Sequence, residues 1–267
     1  MADVWKGIVC EMEKRAGISG STLKIIAVVC MLVDHTAAIL LGQILVNNGI
    51  YSVANFSLEY IQGLIQVSSI GWVYAAYQIM RRIVGRLAFP VYCFLLIEGF
   101  EKTRSRLKYA GRLFLFALIS EVPFDLAFHS ELFYSTYQNV FFTLFIGFMM
   151  IWIMEKIEKR CQKQLPKLIG WAAVFLVAAA LMEVLYCDYG ANGAIAIALL
   201  YLFRKRKLDQ IIAGCVAFLW EITAPFAFIF IAFYNGKRGI KLKYFFYIFY
   251  PAHLLVLYLV TWYYNYF

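Results

Sequence analysis

Charged side chains are scarce in this 267-residue sequence. Asp, Glu, Lys and Arg make up 15% of it, whereas hydrophobic residues make up 63% and aromatic residues 18%. A soluble domain normally has about 25% charged residues. The polar side chains are too few to cover a soluble surface, so we predict an all-α polytopic membrane protein. At about 20 residues for each crossing, the length accommodates one bundle of roughly eight to ten helices and no separate soluble catalytic domain.

Sequence motifs for metal and nucleotide sites are also missing. The six cysteines include no C-x-x-C pair, and the sequence has no P-loop, no G-x-G-x-x-G and no H-E-x-x-H. We therefore expect no disulfide framework and no metal. The net charge of +9 arises from short Lys and Arg clusters between apolar runs, a pattern typical of cytoplasmic loops. This pattern indicates the lipid bilayer as a partner and no nucleic acid.

The basic clusters predict a topology of about nine transmembrane helices, with the N-terminus in the cytoplasm and the C-terminus outside. Residues 1–21 are expected to form a cytoplasmic interfacial segment, and residues 22–267 a single transmembrane domain. The region 208–235 is read as a hairpin, because one crossing would put the basic clusters at its two ends on opposite sides. The predicted helices cover about residues 22–46, 83–100, 107–128, 139–154, 168–186, 191–203, two short legs within 208–235, and 244–264. The expected location is the inner or plasma membrane.

Residues 50–80 do not fit this alternation simply. The stretch 60–80 is apolar enough to cross, but a crossing there would move every later basic loop to the wrong side. Gln62, Gln66 and Ser69 form a polar stripe at helical spacing. We therefore predict an external amphipathic or re-entrant insertion, which is placed to act as a lid.

The first predicted helix carries two polar residues near its middle, Asp34 and His35. A charged group at that depth costs a few kcal/mol or more, so it requires an internal partner or a watery cavity. Adjacent helical residues point about 100° apart, so the two cannot form a pair on one helix face. We expect Asp34 to pair with Arg86 and His35 to face the cavity. Imidazole exchanges a proton near neutral pH, which makes His35 the strongest candidate for catalysis.

Other polar residues are predicted to lie in the middle and outer half of the membrane. They are Arg86, Glu121, Asp125, Asn139 and His253. Because buried charge is costly, this convergence indicates a site or a pathway. Two structural alternatives remain open: Asp34–Arg86 as an ion pair that only locks helices together, and His253 as a core histidine with a satisfied hydrogen bond.

The basic loops offer a place for an anionic ligand. Arg104, Arg106 and Arg112 lie in or beside the loop after the second helix, where they could hold the phosphates of a nucleotide-bearing donor. Arg112 could instead meet Glu98. Membrane topology alone also explains such clusters.

Six blocks of the chain resemble successive segments of the TraX family and cover about residues 22–264. In order, they are LKIIAVVCMLVDHTAAIL, GRLAFPVYCFLLIEGF, RLFLFALISEVPFDLAF, NVFFTLFIG, YNGKRG and YFFYIFYPAHLLVLYLV. TraX proteins are polytopic inner-membrane proteins, and the named member N-acetylates F-type conjugative pilin. The family is similar to a wider set of transmembrane acyltransferases, which includes the lysosomal heparan glucosaminide acetyltransferase and the acyltransferase-3 group. Residues 50–80 have no counterpart in this resemblance.

The resemblance implies an acetyltransferase that uses cytoplasmic acetyl-CoA and acts on an amine or hydroxyl of a peptide N-terminus, sugar or amine. His35 occupies the place of the catalytic histidine, as general base or acetyl carrier, and Asp34 would position the first helix. Glu121, Asp125, Asn139 and His253 would line the acceptor side. The first alternative is a proton-coupled transporter of a small solute that uses the same charges. The second is a structural scaffold of a secretion or conjugation apparatus, which explains the intramembrane charges poorly.

Overall fold

The computed structural model describes residues 17–240 and 243–266, and its regular structure there is helical. We number the helices in chain order. They are α1 Gly20–Asn47, α2 Leu58–Val67, α3 Ile70–Lys102, α4 Arg106–His129, α5 Val140–Arg160, α6 Gln164–Val184, α7 Gly190–Leu202, α8 Lys207–Ala217, α9 Ala227–Ala232 and α10 Lys243–Tyr266. α1 and α3 each contain one π-helical turn, Ala37–Leu41 and Met80–Val84.

Five helices within the described residues are long and apolar enough to cross a membrane. They are α1, α3, α5, α6 and α10, the last over Tyr244–Asn265. α4 also has 24 residues, about 36 Å at 1.5 Å for each residue, and it packs between α5 and α10. Charged residues such as Arg106, Glu121 and Asp125 explain why the hydropathy of α4 is lower than that of these five helices. A helical membrane protein is therefore confirmed.

α8 and α9 form a hairpin that is too short to cross the membrane twice. They have 11 and 6 residues, or about 16 Å and 9 Å, against a hydrocarbon core of about 30 Å. The Lys207 ammonium donates to the Ala232 carbonyl at 2.5 Å and to the Tyr234 carbonyl at 2.8 Å. These bonds hold both ends of the hairpin on one side of the bundle. The two short legs are therefore present, but their lengths do not support counting them as two of nine transmembrane helices.

The second long helix begins earlier than the sequence indicates. It was predicted to begin near Ile83, but α3 begins at Ile70. Two polar residues in the part of α3 that the prediction left out turn inward: Tyr74 donates to the Asn55 carbonyl, and Gln78 donates to the Val53 carbonyl at 2.8 Å. Tyr74 and Gln78 therefore stabilise the loop before α2 through hydrogen bonds. The external position of residues 50–80 stays a prediction.

The start of α1 is joined to the link between α9 and α10 by backbone hydrogen bonds. Ile18 N–H donates to the Phe233 carbonyl at 2.9 Å, and Gly20 N–H donates to the Lys237 carbonyl at 2.8 Å. The Lys237 carbonyl satisfies an N–H group that the first turn of a helix leaves free. Of the predicted interfacial segment 1–21, residues 1–16 lie outside the described residues.

Candidate active site

Two π-helical turns lie beside the polar residues of α1 and α3. The turn Ala37–Leu41 follows His35 directly, and the turn Met80–Val84 contains Arg81. A π turn shifts the angular position of the residues beyond it relative to an α-helix, and such turns are frequent at functional sites. Both turns occur where α1 and α3 contact each other.

His35 and His253 form a hydrogen-bonded pair between α1 and α10. The distance from His35 Nδ1 to His253 Nε2 is 2.7 Å, and the two ring planes are within 6° of parallel. His253 Nδ1 lies 2.8 Å from the Phe249 carbonyl oxygen, one turn earlier in α10. The structure thus brings together the two histidines that the sequence placed near midplane.

This chain of contacts assigns the ring protons of the neutral pair. The Phe249 carbonyl can only accept, so His253 Nδ1 must carry a proton and donate it. Neutral His253 then has its lone pair at Nε2, where it accepts from His35 Nδ1–H. The lone pair of His35 is left on Nε2. Among the described residues, no hydrogen-bond partner for this nitrogen is present, so His35 offers one free basic nitrogen.

Aromatic side chains surround the histidine pair. The rings of Phe128 and Tyr250 meet His35 edge-on, with centroids 5.5 Å and 6.0 Å away. Tyr250 is 4% exposed and also contacts His253. Sequence reasoning missed Tyr250, although its place three residues before His253 puts both on one face of α10. The aromatic surroundings limit water around the pair.

Asp34 pairs with Arg81 rather than with Arg86, so the predicted pair was wrong. Arg81 Nη1 lies 2.5 Å from Asp34 Oδ2, whereas Arg86 approaches Glu221 at 3.4 Å. Two features explain the exchange. α3 begins at Ile70, so Arg81 already lies within the helix. The π turn Met80–Val84 then changes the direction in which the side chains of Arg81 and Arg86 point. Gly85 also meets Asp34 so closely that a Cβ at Gly85 would overlap the carboxylate.

A loop carboxylate completes the charged layer near Asp34. Asp188, in the connection between α6 and α7, accepts a hydrogen bond from the Tyr137 hydroxyl at 2.8 Å. Burial raises the pKa of Asp188 to about 6, and the Asp34 carboxylate acts in the same direction, while Tyr137 and the two arginines oppose it. Asp188 was not predicted as a site residue from the sequence, because an Asp in an external loop is normally solvated.

Glu121, Asp125 and Asn139 have mainly structural contacts. Asn139 caps α5 through Phe141 N–H at 3.0 Å and donates to the Ala117 carbonyl at 2.9 Å and to Glu121. Asp125 accepts from the N–H of Tyr134 at 2.8 Å. These bonds tie α4 to the following loop. Glu121 Oε1 and Asp125 Oδ1 are buried without a hydrogen-bond partner among the described residues.

The predicted basic residues differ from one another in their contacts. Arg106 is bound to Glu155 at 3.0 Å, and Arg104 is exposed. Arg112 is hydrogen-bonded to the Tyr247 hydroxyl. Glu98 is bound to Lys102 at 2.5 Å, so the alternative pairing of Arg112 with Glu98 was wrong.

A cavity of about 490 Å³ lies along the second half of α1, and neither His35 nor His253 lines it. Its lining includes Gln43, Tyr77, Phe128, Tyr258 and Asn265, and none of the described residues that line it is charged. Phe128 belongs both to this lining and to the contacts of His35. Its volume lies within the range of small-molecule sites, and much of its lining is polar but uncharged. Within residues 17–240 and 243–266, no three His, Cys, Asp or Glu side chains come close enough to hold a metal.

Comparison with known proteins gives one family and one curated relative. A family model described as "TraX protein" matches residues 19–261. The relative is the "Probable fimbrial assembly protein FimC, serogroup H1" of Dichelobacter nodosus, 27% identical over 276 residues, which cover 92% of this chain and 97% of that protein. No solved structure matches.

Proposed function

This chain belongs to the TraX family, and on that premise we propose that it is a membrane-embedded acetyltransferase. Cytoplasmic acetyl-CoA is the donor, and an amine or hydroxyl within or across the membrane is the acceptor. The observation that carries the proposal is the free Nε2 of His35, backed by His253 and the Phe249 carbonyl. A base fixed in one tautomer by a second group is the arrangement that acyl transfer requires.

The reaction needs two proton transfers, one from the acceptor to His35 and one from His35 to the leaving sulfur. His35 Nε2 removes the proton from the acceptor while the acceptor heteroatom attacks the thioester carbonyl carbon of acetyl-CoA. The new bond to the acetyl carbon forms as the carbon–sulfur bond breaks, and the protonated His35 returns its proton to the leaving sulfur. His253 stabilises the charged imidazole by accepting from Nδ1–H. A route through an acetyl group carried on His35 uses the same nitrogen.

The acceptor is proposed to enter by the uncharged cavity that ends at Phe128. A neutral lining suits an acceptor that reaches His35 without a charge, because an ion in such surroundings would lack a partner. Glu121, Asp125 and Asn139 then shape the neighbouring end of α4 and α5. The relative is named as a fimbrial assembly protein, so a subunit of a surface fibre is one acceptor to test.

The proposed topology has the N-terminus in the cytoplasm of a multi-pass protein of the inner or plasma membrane. Nine helical segments follow α1 to α10 without the short α2, and the hairpin of α8 and α9 enters and leaves on the cytoplasmic side. The support is the distribution of charge: the loops 155–167 and 204–207 are basic, whereas the loop 129–138 has no Lys or Arg.

Replacing His35 tests the function directly. The variant His35→Ala should lose acetyl transfer from labelled acetyl-CoA, by a factor of about 10² to 10⁴, because that is what a general base contributes. His129→Ala is the matched control, since His129 stacks on Tyr134 and has no contact with either histidine of the pair among the described residues, and it should keep full activity. Retained activity in His35→Ala, with an unchanged elution profile in detergent, would refute the assignment. Solute uptake driven by a pH gradient without acetyl-CoA would favour the transporter.

A further inference from the structure

Lys24 is a half-buried cation without a counter-ion in the described chain. It lies near the cytoplasmic start of α1, with its ammonium 5.4 Å from the centre of the Phe246 ring in α10. Within residues 17–240 and 243–266, no carboxylate pairs with it, and its charged neighbour is Arg238, a like charge. Arg238 is exposed, but its charge repels the half-buried Lys24 ammonium, so the arrangement is costly unless an anion joins the two.

The fold itself holds the two cations together. The backbone carbonyl of Arg238 accepts from Ser21 N–H at 2.9 Å, and Ile240 N–H donates to the Ser21 hydroxyl at 3.0 Å. Gly239 allows this docking because its φ is +72°, a value that favours glycine. These contacts are independent of either side-chain charge. The loop is therefore built to keep Arg238 beside Lys24.

A third cation reaches the same part of α10 from α4. Arg112 donates to the hydroxyl of Tyr247, which is adjacent to Phe246, and its own Nε is buried without a hydrogen-bond partner among the described residues. The ring of Tyr247 stacks on Phe116, with centroids 4.9 Å apart, so its position is fixed. An unsatisfied buried guanidinium N–H is a donor available to an anion.

The neighbouring carboxylates do not neutralise these cations, because each is bound elsewhere. The pairs in the described chain are Glu98 with Lys102, Glu101 with Arg204, Glu155 with Arg106 and Lys159, Glu158 with Arg204 and Lys205, and Asp209 with Arg206. In the described chain these carboxylates are therefore engaged with other cations, and none of them pairs with Lys24, Arg112 or Arg238.

We infer that Lys24, Arg112 and Arg238 bind the phosphate groups of the acyl donor. The inference rests on the proposed function and gives it a donor site. The rise from Tyr247 to His253 along α10 is about 9 Å, and from Lys24 to His35 along α1 about 16 Å. Phosphates bound at the cations would therefore leave the extended pantetheine arm to run between α1, α4 and α10 toward His35. Arg106 has no part in this site, because Glu155 already neutralises it.

The experiment compares acetyl-CoA with acetyl-pantetheine, which carries the same thioester without the phosphates. Lys24→Gln and Arg112→Gln should each raise the KM for acetyl-CoA about tenfold to a hundredfold, the usual effect of losing one charge-assisted hydrogen bond. The KM for acetyl-pantetheine should change less than about twofold, since the lost charge has no phosphate to contact there. Lys108→Gln is the matched control, because Lys108 is exposed and lies one turn from Arg112 in α4.

A conservative variant separates charge from folding. Lys24→Arg keeps the charge and should restore most of the affinity for acetyl-CoA. An unchanged KM for acetyl-CoA in Lys24→Gln and Arg112→Gln, in a protein that still transfers acetyl groups, would overturn the donor site while leaving the proposed function intact. A wild-type protein that neither transfers acetyl groups nor is thermally stabilised by CoA would instead refute the proposed function.

An anionic lipid headgroup offers the same phosphate chemistry, and a second measurement separates the two sources. Wild-type protein and Lys24→Gln are reconstituted in phosphatidylcholine vesicles with and without phosphatidylglycerol. If the donor is the ligand, the variant raises the KM for acetyl-CoA equally in both membranes. A variant that loses binding of phosphatidylglycerol but keeps the wild-type KM for acetyl-CoA would overturn the donor assignment in favour of the lipid.

Discussion

A neutral histidine has one ring proton, so a histidine that donates from Nδ1 must accept at Nε2. In this protein the Phe249 carbonyl fixes that choice for His253, and His253 fixes it for His35. The result is a defined basic nitrogen without any carboxylate in contact with the pair in the described chain. A neutral backing group keeps the dyad uncharged at rest, which suits its place inside the bundle.

His253 is predicted to act through His35 as a positioning residue. His253→Ala should lower kcat at least about tenfold, and less than the full 10² to 10⁴ that the base itself contributes, while the KM for acetyl-CoA stays unchanged. His253→Gln can place a carboxamide oxygen near the former Nε2, so it should recover part of kcat. Steady-state kinetics of the two variants checks this. Equal activity of wild type and His253→Ala would show that His35 does not need the contact.

Asp188 predicts a dependence of stability on pH. Its pKa is about 6 in the folded protein and near 3.8 in a free side chain, so the folded state binds the proton more tightly. The carboxylate then destabilises the fold progressively as the pH rises from about 4 to 6 and fully above that range. Asp188→Asn removes the charge and keeps the oxygen that accepts from Tyr137.

We expect Asp188→Asn to raise the melting temperature at pH 8 and to have little effect near pH 4. The gain is at most about 3 kcal/mol, because each pKa unit corresponds to about 1.4 kcal/mol. Thermal unfolding in detergent at the two pH values measures it. A variant that is less stable than wild type at pH 8 would show that the ionised carboxylate is stabilised by Arg81 and Arg86.

At the scale of the helices, α1 and α3 approach closely where their π turns occur. Gly85 makes this approach possible, since its missing side chain leaves room for the Asp34 carboxylate. The approach places Arg81 on Asp34 and directs Arg86 toward Glu221 in the hairpin turn. The contact thus joins α1, α3 and the hairpin through two ion pairs.

Gly85→Ala should weaken this contact. The added methyl group overlaps Asp34, so we expect a loss of about 1–3 kcal/mol from overpacking and a lower melting temperature. Gly111→Ala is the control, because a Cβ at Gly111 meets nothing within 4 Å. That change should be neutral or stabilising by up to about 1 kcal/mol, as alanine favours a helix interior. Equal melting temperatures of the two variants would contradict the role of Gly85.

At the scale of the whole molecule, helix lengths vary widely for one membrane protein. α3 has 33 residues, or about 50 Å, and exceeds the hydrocarbon core, whereas α8 and α9 span only part of it. α7, with 13 residues, reaches about 20 Å. Short helices leave polar loops such as the one with Asp188 partly buried next to the ends of longer helices.

The hairpin and the orientation are testable by labelling. In a background with the six native cysteines replaced, Lys205→Cys and Lys237→Cys should react with a membrane-impermeant maleimide only after the cells are permeabilised. Leu132→Cys, in the loop after α4, should react in intact cells. Labelling of Lys205→Cys and Lys237→Cys from opposite sides would contradict a hairpin that returns to the side it enters.

Much of the helical framework could be predicted from the sequence. The predicted helices 107–128 and 191–203 differ from α4 and α7 by one residue at each end, because charged loops and Ser, Asn or Gly mark the ends clearly. The continuity of α3 could not be predicted, since the positions of the basic loops argued against a crossing at 60–80 and the partners of Tyr74 and Gln78 in residues 53–55 were unknown.

The sequence by itself determined the membrane class, the family and the candidate His35, since apolar composition and a costly polar pair in an apolar helix need no partner to be recognised. The tertiary structure alone decided which groups meet. Arg81 rather than Arg86 binds Asp34, because a π turn changes helical angles that a regular 100° spacing cannot anticipate. His35 meets His253 across 218 positions of chain, and the packing of α1 against α10, which no local pattern encodes, makes that contact.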